Sequence, residues 1–516
     1  MTQKYFPIIF ALAGGITLFG ACKDSYLEAD LKGTDLETNF YKDEAQAKQG
    51  LVAIYDVVGW QGNGYVTREG MANAASDDQL AGGGGPSDIN DLQVVTKWTL
   101  TPEIGPHNEL WRKGYSGIFR ANKLLEKLPD VPMSETNKAR FAAEAKFLRG
   151  YFYFDLVRMF ENIPLILRPL TTSEMREVPQ ADPAEVWKQI EDDIKAAIAE
   201  PTLPDRITDV PDKGRVTKGT AHAMLGKVYL YQKKWAAAAA EFALVNGPTP
   251  GQPSPTYGYQ LVANFADLFK SQVQYKYNSE SIFEIGYNST SQGGWGCVSC
   301  TEGNVLNIMV GPRGYAPSAG APDYVSGWSF LVFTKEFYNF IHFDPRFKAT
   351  VADLDSLEKN NLAKYEKGHD NTGYFLEKYA GRISNATTTG GTRELNFPQN
   401  KYDIRLADTY LMEAEALVMG GQSGGAGSRA YALMNAVRDR VGLGPRDATI
   451  DNIFEERRLE FAGEGIRFFD LIRTGRATAA LAGRGFDPNK HYVFPIPFRD
   501  LQSTKMEQNK EWGGTK

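Results

Sequence analysis

Residues 217–250 read TKGTAHAMLGKVYLYQKKWAAAAAEFALVNGPTP, and this stretch decides the fold. Its landmarks are Leu225-Gly226-x2-Tyr229, then Ala238-x3-Phe242, then Pro250. They match the spacing of a tetratricopeptide unit, a helical hairpin of about 34 residues. The spacing has a packing reason: Gly226 and Ala238 let two antiparallel helices approach, while Tyr229 and Phe242 fill the groove between units. His222 stands where the pattern usually has Trp, and Val245 where it usually has a small residue. One such unit cannot bury both of its faces, so other helix pairs must stack on it.

Candidates for those neighbours lie on both sides. Apolar positions recur at helical spacing over 41–58, over Leu110–Leu128 and over Lys138–Phe160, where Asn162-Ile163-Pro164 ends the run. Asp182-Pro183 reads as an N-cap followed by a first-turn proline, opening another helix through Trp187, Ile190 and Ile194. On the C-terminal side the spacing predicts a helix over Lys401–Met419 paired with Ser428–Val441 across a Gly-rich turn. A last pair is expected over Ile450–Ala462 and Gly465–Thr474. Two stretches break the pattern. Residues 59–106 carry four consecutive glycines, Gly82 to Gly85, and are expected to be loop. Residues 251–400 are rich in Gly, Ser, Asn, Pro and aromatics, with one short strand candidate at Ser281–Ile285. Long irregular segments inside a helical protein usually carry function. The Tyr492–Pro497 segment is expected to be extended.

The whole chain has 516 residues, a formal net charge of −6, 42% hydrophobic and 12% aromatic residues. That composition excludes a disordered or collagen-like chain, and the acidic balance argues against a nucleic-acid binder. Residues 1–21 have a lysine near the start and an uncharged apolar run, the proportions of a secretory signal. The run ends Leu18-Phe19-Gly20-Ala21-Cys22, which looks like a bacterial lipobox with Cys22 as the acylated mature N-terminus. Acyl chains add about 0.8 kcal/mol per buried CH₂, so two or three would anchor a soluble body stably. The other two cysteines, Cys297 and Cys300, form a CxxC pair. Such a pair serves a redox dithiol, half a zinc site or a loop-closing disulfide. The Gly/Ser/Thr surroundings and the lack of a second ligand pair favour the disulfide.

Several segments coincide with one family. They are the lipobox at Cys22, Trp111-x3-Tyr115-x2-Ile118-x2-Ala121-Asn122, Phe147-Leu148-Arg149-x-Tyr151-x-Tyr153-Phe154, and the unit at 217–250. Further on stand Arg405-Leu406-Ala407-Asp408-x-Tyr410, Glu456-Arg457-Arg458-x-Glu460-Phe461-x2-Glu464-Gly465-x-Arg467, and the Phe494-Pro495-Ile496-Pro497 tail. The chain resembles the SusD/RagB-like outer-membrane nutrient-binding lipoproteins. The resemblance implies a mainly α fold of about four tetratricopeptide-like helix pairs, with long irregular insertions and minor β structure. It implies one body over 22–516, with ligand-facing insertions around 59–106 and 251–400. It also implies an oligosaccharide ligand, a SusC-like TonB-dependent barrel transporter as partner, and a lipid-anchored place on the outer membrane, exposed at the cell surface. Peptides are the alternative ligand in this family.

The charged run Glu455-Glu456-Arg457-Arg458-x-Glu460 with Glu464, Arg467, Asp470 and Arg473 is read as ion pairs along helix faces rather than as catalysis. The five histidines show no metal-ligand spacing, and neither a G-x-S-x-G elbow nor a P-loop is present. No enzyme is expected, although a lipid-anchored glycoside hydrolase and a purely structural scaffold are rival readings. Aromatics divide by location. Trp111, Trp187 and Trp235 lie on amphipathic helices and are read as packing. Trp60, Tyr65, Trp98, Trp295, Tyr315, Tyr324 and Trp328 lie in the insertions, where exposed rings can stack on the C–H faces of sugars. Trp60, Trp295 and Trp328 lead, because glycines adjoin each one. Gln61, Asn63, Asp77, Asp78 and Arg313 are nearby candidates for sugar hydroxyls. Asp88-Ile89-Asn90-Asp91 offers oxygens that suit Ca²⁺ but lacks EF-hand spacing, so it is read as a turn and no cofactor is expected. Weak capture, about −4 to −8 kcal/mol, would suit transfer to a transporter.

Overall fold

The computed structural model describes residues 40–61, 65–290, 293–296, 301–386 and 391–516. The signal segment, Cys22, Asn63, Cys297 and Cys300 lie outside the described residues. The longer helices are α1 Glu44–Gly59, α2 His107–Lys127, α3 Glu135–Phe160, α4 Pro183–Ala199, α5 Lys218–Tyr231 and α6 Trp235–Asn246. They continue with α7 Leu406–Met419, α8 Arg429–Arg440, α9 Ile450–Phe461 and α10 Arg467–Arg473. Consecutive helices pack in the order α1 on α2, α2 on α3, and so on to α7 on α8, so that four hairpins stack side by side. This is the helical-repeat fold that the 217–250 stretch predicts.

Local chemistry sets the helix starts. Asp43 accepts from the Gln46 amide, Asp182 from Ala184 with Pro183 in the first turn, and Ser428 from Tyr431. Thr217 and Thr220 close a capping box at the start of α5. Close approach is purchased by glycine at the crossings. A Cβ on Gly226 would meet the Phe242 ring at 2.7 Å, and one on Gly117 would meet Phe152 at 2.2 Å. Phe242 and Ala238 are fully buried, whereas Tyr229 lies partly exposed between the ammonium groups of Lys195 and Lys234.

The insertions are more ordered than their composition suggests. Residues 59–106 contain helices at Arg68–Ala74 and Asn90–Thr96 and the strand β1, Gln79–Gly82. β1 pairs antiparallel with β3, Phe330–Phe333, in the second insertion. The turn into this ladder needs glycine, since Gly82 has φ +68° and a Cβ there would lie 2.3 Å from the Ser329 carbonyl. A second correction concerns residues 401–405. They are not the first turn of α7 but a strand, β4, paired with β2 Ser281–Ile285. Its charged residues are buried because each meets a partner from elsewhere: Lys401 meets Glu69 at 2.7 Å, Asp403 meets Arg68, and Arg405 meets Glu280, Glu460 and Glu464.

The charged run does form ion pairs; Asp470 and Arg473 pair along one helix face at 2.7 Å, but most of the others reach across elements. Arg457 binds Asp408 and Asp470 at 2.7 Å, and Arg467 binds Asp77 at 2.8 Å. Arg346 spans Glu456 and Glu460 at 2.7 and 2.8 Å. Burial would raise the Glu460 carboxyl, yet Arg440, Arg405 and Arg346 hold it well below its ordinary value. Breaking one member of such a buried set leaves an uncompensated charge, typically a loss of about 3–5 kcal/mol. These residues therefore fasten the C-terminal helices to the insertions.

Candidate functional site

Three of the aromatics singled out in the sequence come together. Tyr65 lies between α1 and the Arg68–Ala74 helix, Trp295 in the loop after β2, and Trp328 two residues before β3. The two indoles are 5.9 Å apart and tilted by 33°, while Tyr65 meets Trp328 edge-on at 5.1 Å and Trp295 at 6.3 Å. Local backbone presents them. Tyr65 has φ +63°, Ser329 beside Trp328 has φ +63°, and the Trp328 amide donates to the Ile308 carbonyl at 2.9 Å. Trp295 is 51% exposed, an unusual state for so large an apolar side chain, and Trp328 and Tyr65 are half-buried behind it. Burial raises the Tyr65 hydroxyl, which stays protonated and able to donate.

A polar shoulder adjoins this platform. The Arg313 guanidinium donates to the Trp328 carbonyl at 3.2 Å and lies 3.7 Å from the Asp88 carboxylate. Asp88 in turn accepts from the Gly84 amide at 2.8 Å. The arrangement offers two indole faces to a flat apolar ring face, with donors and acceptors beside it for ring hydroxyls. The Asp88–Asp91 stretch makes a turn into the Asn90–Thr96 helix, with Ile89 at φ +41°. Asp88 faces Gly84 and Arg313, whereas Asp91 lines a different hollow, so their oxygens do not converge.

The other sequence candidates go elsewhere. Trp98 is a correction: it is 4% exposed and packs against Phe486, His491, Phe468 and Phe494 at 4.9 to 6.4 Å. The C-terminal 486–494 segment closes over it, which nothing near Trp98 in the chain announces. Tyr315 and Tyr324 are also corrected from ligand contacts to packing. They stack edge to face at 5.3 Å in a small core, with their hydroxyls on the Pro322 carbonyl and on Glu377. Asp77 and Asp78 are taken by Arg467 and Arg458, and Gln61 bridges the Gly303 carbonyl and the Val305 amide. Trp60 points away from the platform. Its indole N–H donates to Asp56 at 2.9 Å, and Arg120 and Arg112 lie over its ring at 4.9 and 5.4 Å. It lines a groove of about 1050 Å³ with Trp111, Tyr115, Phe119 and Phe498. Sequence reasoning did not assign Asp88 or Gly84 a place beside Arg313. The run of four glycines was the available signal.

Comparison with known proteins fits this architecture. Residues 265–512 match the family described as the SusD family, and residues 44–230 match one described as starch-binding, associating with the outer membrane. A solved laminarin-binding SusD-like protein is 50% identical, with 91% of this chain and 99% of that chain covered and a TM-score of 0.86. The chain belongs to the SusD family. Surface glycan-binding protein A of Bacteroides thetaiotaomicron, solved with laminarihexaose, is 26% identical, covers 89% of this chain and 98% of that one, and has a TM-score of 0.78. SusD-like protein P38 of Formosa agariphila is 26% identical over 98% of this chain and 99% of its own. These SusD-like relatives are named for binding glycans or for their family, and none of the three for an enzymatic activity. Among the described residues, no helix is long and apolar enough to cross a membrane.

Proposed function

We propose that this SusD-like protein captures a laminarin-type β-glucan on the Tyr65–Trp295–Trp328 platform, without chemical turnover, and passes it to a TonB-dependent barrel transporter. The observation that carries the reading is the half-exposed Trp295 indole, tilted by 33° against Trp328 and braced by Tyr65. Two rings at that angle suit a curved chain better than a flat ribbon, because successive sugar faces must turn to meet both. Support for the glucan class comes from the laminarin-binding relative, which shares half of its residues with this chain across nearly its full length. A peptide-binding role is disfavoured, since a platform of stacked rings offers few groups for peptide amides.

Acylation at Cys22 would tether the body to the outer membrane and keep the platform near its partner. Trp60 lies outside the proposed site, and Arg313 is its polar arm. Isothermal titration with laminarin and with laminarihexaose tests the reading. Micromolar to millimolar binding that weakens about 5- to 150-fold in Trp295→Ala is expected. Undiminished binding in a folded Trp295→Ala protein, or release of shorter products on incubation, would overturn it.

A further inference from the structure

The four-glycine loop has a feature that flexibility does not explain. A Cβ on Gly84 would lie 2.8 Å from Arg313 Nη2, 3.1 Å from its Cζ and 3.2 Å from Asp88 Oδ2. A Cβ on its neighbour Gly85 would meet nothing within 4 Å. Gly84 shows no left-handed φ, so its backbone alone does not demand glycine. The space that its missing side chain leaves is the space the guanidinium occupies. Asp88 completes the seat, for it accepts the Gly84 amide at 2.8 Å and stands 3.7 Å from Arg313 Nη2. From the other side the Trp328 carbonyl accepts from the same nitrogen at 3.2 Å, and the Ser329 hydroxyl accepts the Arg313 amide at 2.9 Å.

We infer that Gly84 and Asp88 are positioning residues that seat the Arg313 guanidinium beside Trp328, and that this charge-compensated pair selects an uncharged glycan. The inference rests on the platform reading above. An arginine fork set next to a stacking ring reaches the hydroxyls on the edge of the stacked sugar, and a fixed fork loses less freedom on binding than a loose one. The pairing with Asp88 matters for ligand class. Asp88, 3.7 Å from the guanidinium, offsets its charge. A sulfated or carboxylated sugar would find that cation already paired with a carboxylate, whereas a neutral one needs only donors and acceptors.

Substitution at Gly84 separates positioning from folding. The atoms that an added methyl would strike are the far end of a flexible side chain, so Arg313 can move aside at little cost to the fold. The experiment titrates laminarihexaose into the full chain and into Gly84→Ala, Gly85→Ala, Arg313→Ala and the Gly84→Ala/Arg313→Ala pair. Gly84→Ala and Arg313→Ala should each weaken binding about 10-fold, the loss typical of one charge-assisted hydrogen bond. Gly85→Ala should bind as the parent does, and the double variant no more weakly than Arg313→Ala alone. Unliganded crystal structures should show the guanidinium on the Trp328 carbonyl in the parent and displaced from it in Gly84→Ala.

Parent-like binding by Gly84→Ala, additive losses in the double variant, or an unmoved guanidinium would overturn the positioning role. Sulfated laminarin bound as tightly as laminarin would overturn the selection of an uncharged ligand. Should the parent fail to bind laminarihexaose, the platform reading fails, and the crystal structures still decide the positioning of Arg313.

Discussion

Trp98 and Trp295 both lie in insertions outside the helical repeats and finish in opposite states. Trp98 stands between Lys97 and Thr99, Trp295 between two glycines. Trp98 is 4% exposed beneath Phe486, His491 and Phe494, while Trp295 is 51% exposed with Trp328 and Tyr65 beside it. What separates them is the C-terminal chain, which returns across the first insertion and leaves the second open. The Phe494 amide fixes that return by donating to the Met159 carbonyl at 2.8 Å. An aromatic in a loop thus becomes glue or a ligand platform according to partners hundreds of residues away.

The largest effect that tests this contrast is on stability. Trp98→Ala should lower unfolding free energy by about 3–5 kcal/mol, the usual result of emptying a buried aromatic site. Chemical denaturation would show it, and the folded fraction should bind glycan normally. A loss of binding without loss of stability would reverse the assignments of the two tryptophans.

The Trp98 cluster also carries an acid-sensitive element. Burial lowers the His107 imidazole from 6.5 to about 4, and His491 in the same cluster is lowered to about 4 by burial and by Lys490. His107 stacks on Phe494 with 13° between the rings. The unfolded histidine takes up a proton near its ordinary value, while the folded one resists until about 4. Stability is therefore full above about pH 6.5 and drains away as pH falls toward 4, by about 3 kcal/mol for His107. His107→Phe should flatten that slope in denaturation curves recorded between pH 7 and 4.5. Equal slopes in parent and variant would remove His107 as the cause.

On the platform the expected order is inverted. Trp295→Ala and Trp328→Ala should cost about 1–3 kcal/mol of binding, in the range found for ring stacking by alanine substitution. Trp295→Ala should change stability by under about 1 kcal/mol, because half of its surface already faces water. Titration calorimetry and thermal melts on the same preparations separate the two quantities. A Trp295→Ala protein that melts early and binds well would make the platform a packing cluster.

The helical scaffold was legible because its signals are local. Spacing of Leu225, Gly226, Ala238 and Phe242, together with the cap at Asp182, reports on contacts within a few turns. Parts of the site were legible for a similar reason, since glycines beside Trp295 and Trp328 mark rings carried on turns. The failures share a different cause. Lys401, Asp403 and Arg405 look like a solvated helix start, yet they form a buried strand because Glu69, Arg68 and Glu464 neutralise them. Asp77 and Asp78 look like sugar ligands but are taken by Arg467 and Arg458 from the far end of the chain. Pairing between distant charges leaves no periodic trace, so burial of these residues is invisible until the chain is folded.

Trp60 gives the smallest predicted effect and the finest test of the contrast. It shares the adjoining glycine of Trp295 and Trp328, and its sequence signal is as good as theirs. Its ring, however, is already met by charge: Arg120 lies over it at 4.9 Å and Arg112 at 5.4 Å, with both guanidinium groups further held by Asp56 and Glu109. A sugar would have to displace those cations to reach the indole face. Two partly exposed cation–π contacts contribute about 0.5–1 kcal/mol each, so Trp60→Ala should lower stability by about 1–2 kcal/mol. It should leave laminarin affinity within twofold of the parent. If glycine next to a loop tryptophan were itself the mark of a ligand contact, Trp60→Ala would weaken binding as Trp295→Ala does. The two outcomes decide whether the signal lies in the flanking glycine or in what the folded chain sets against the ring.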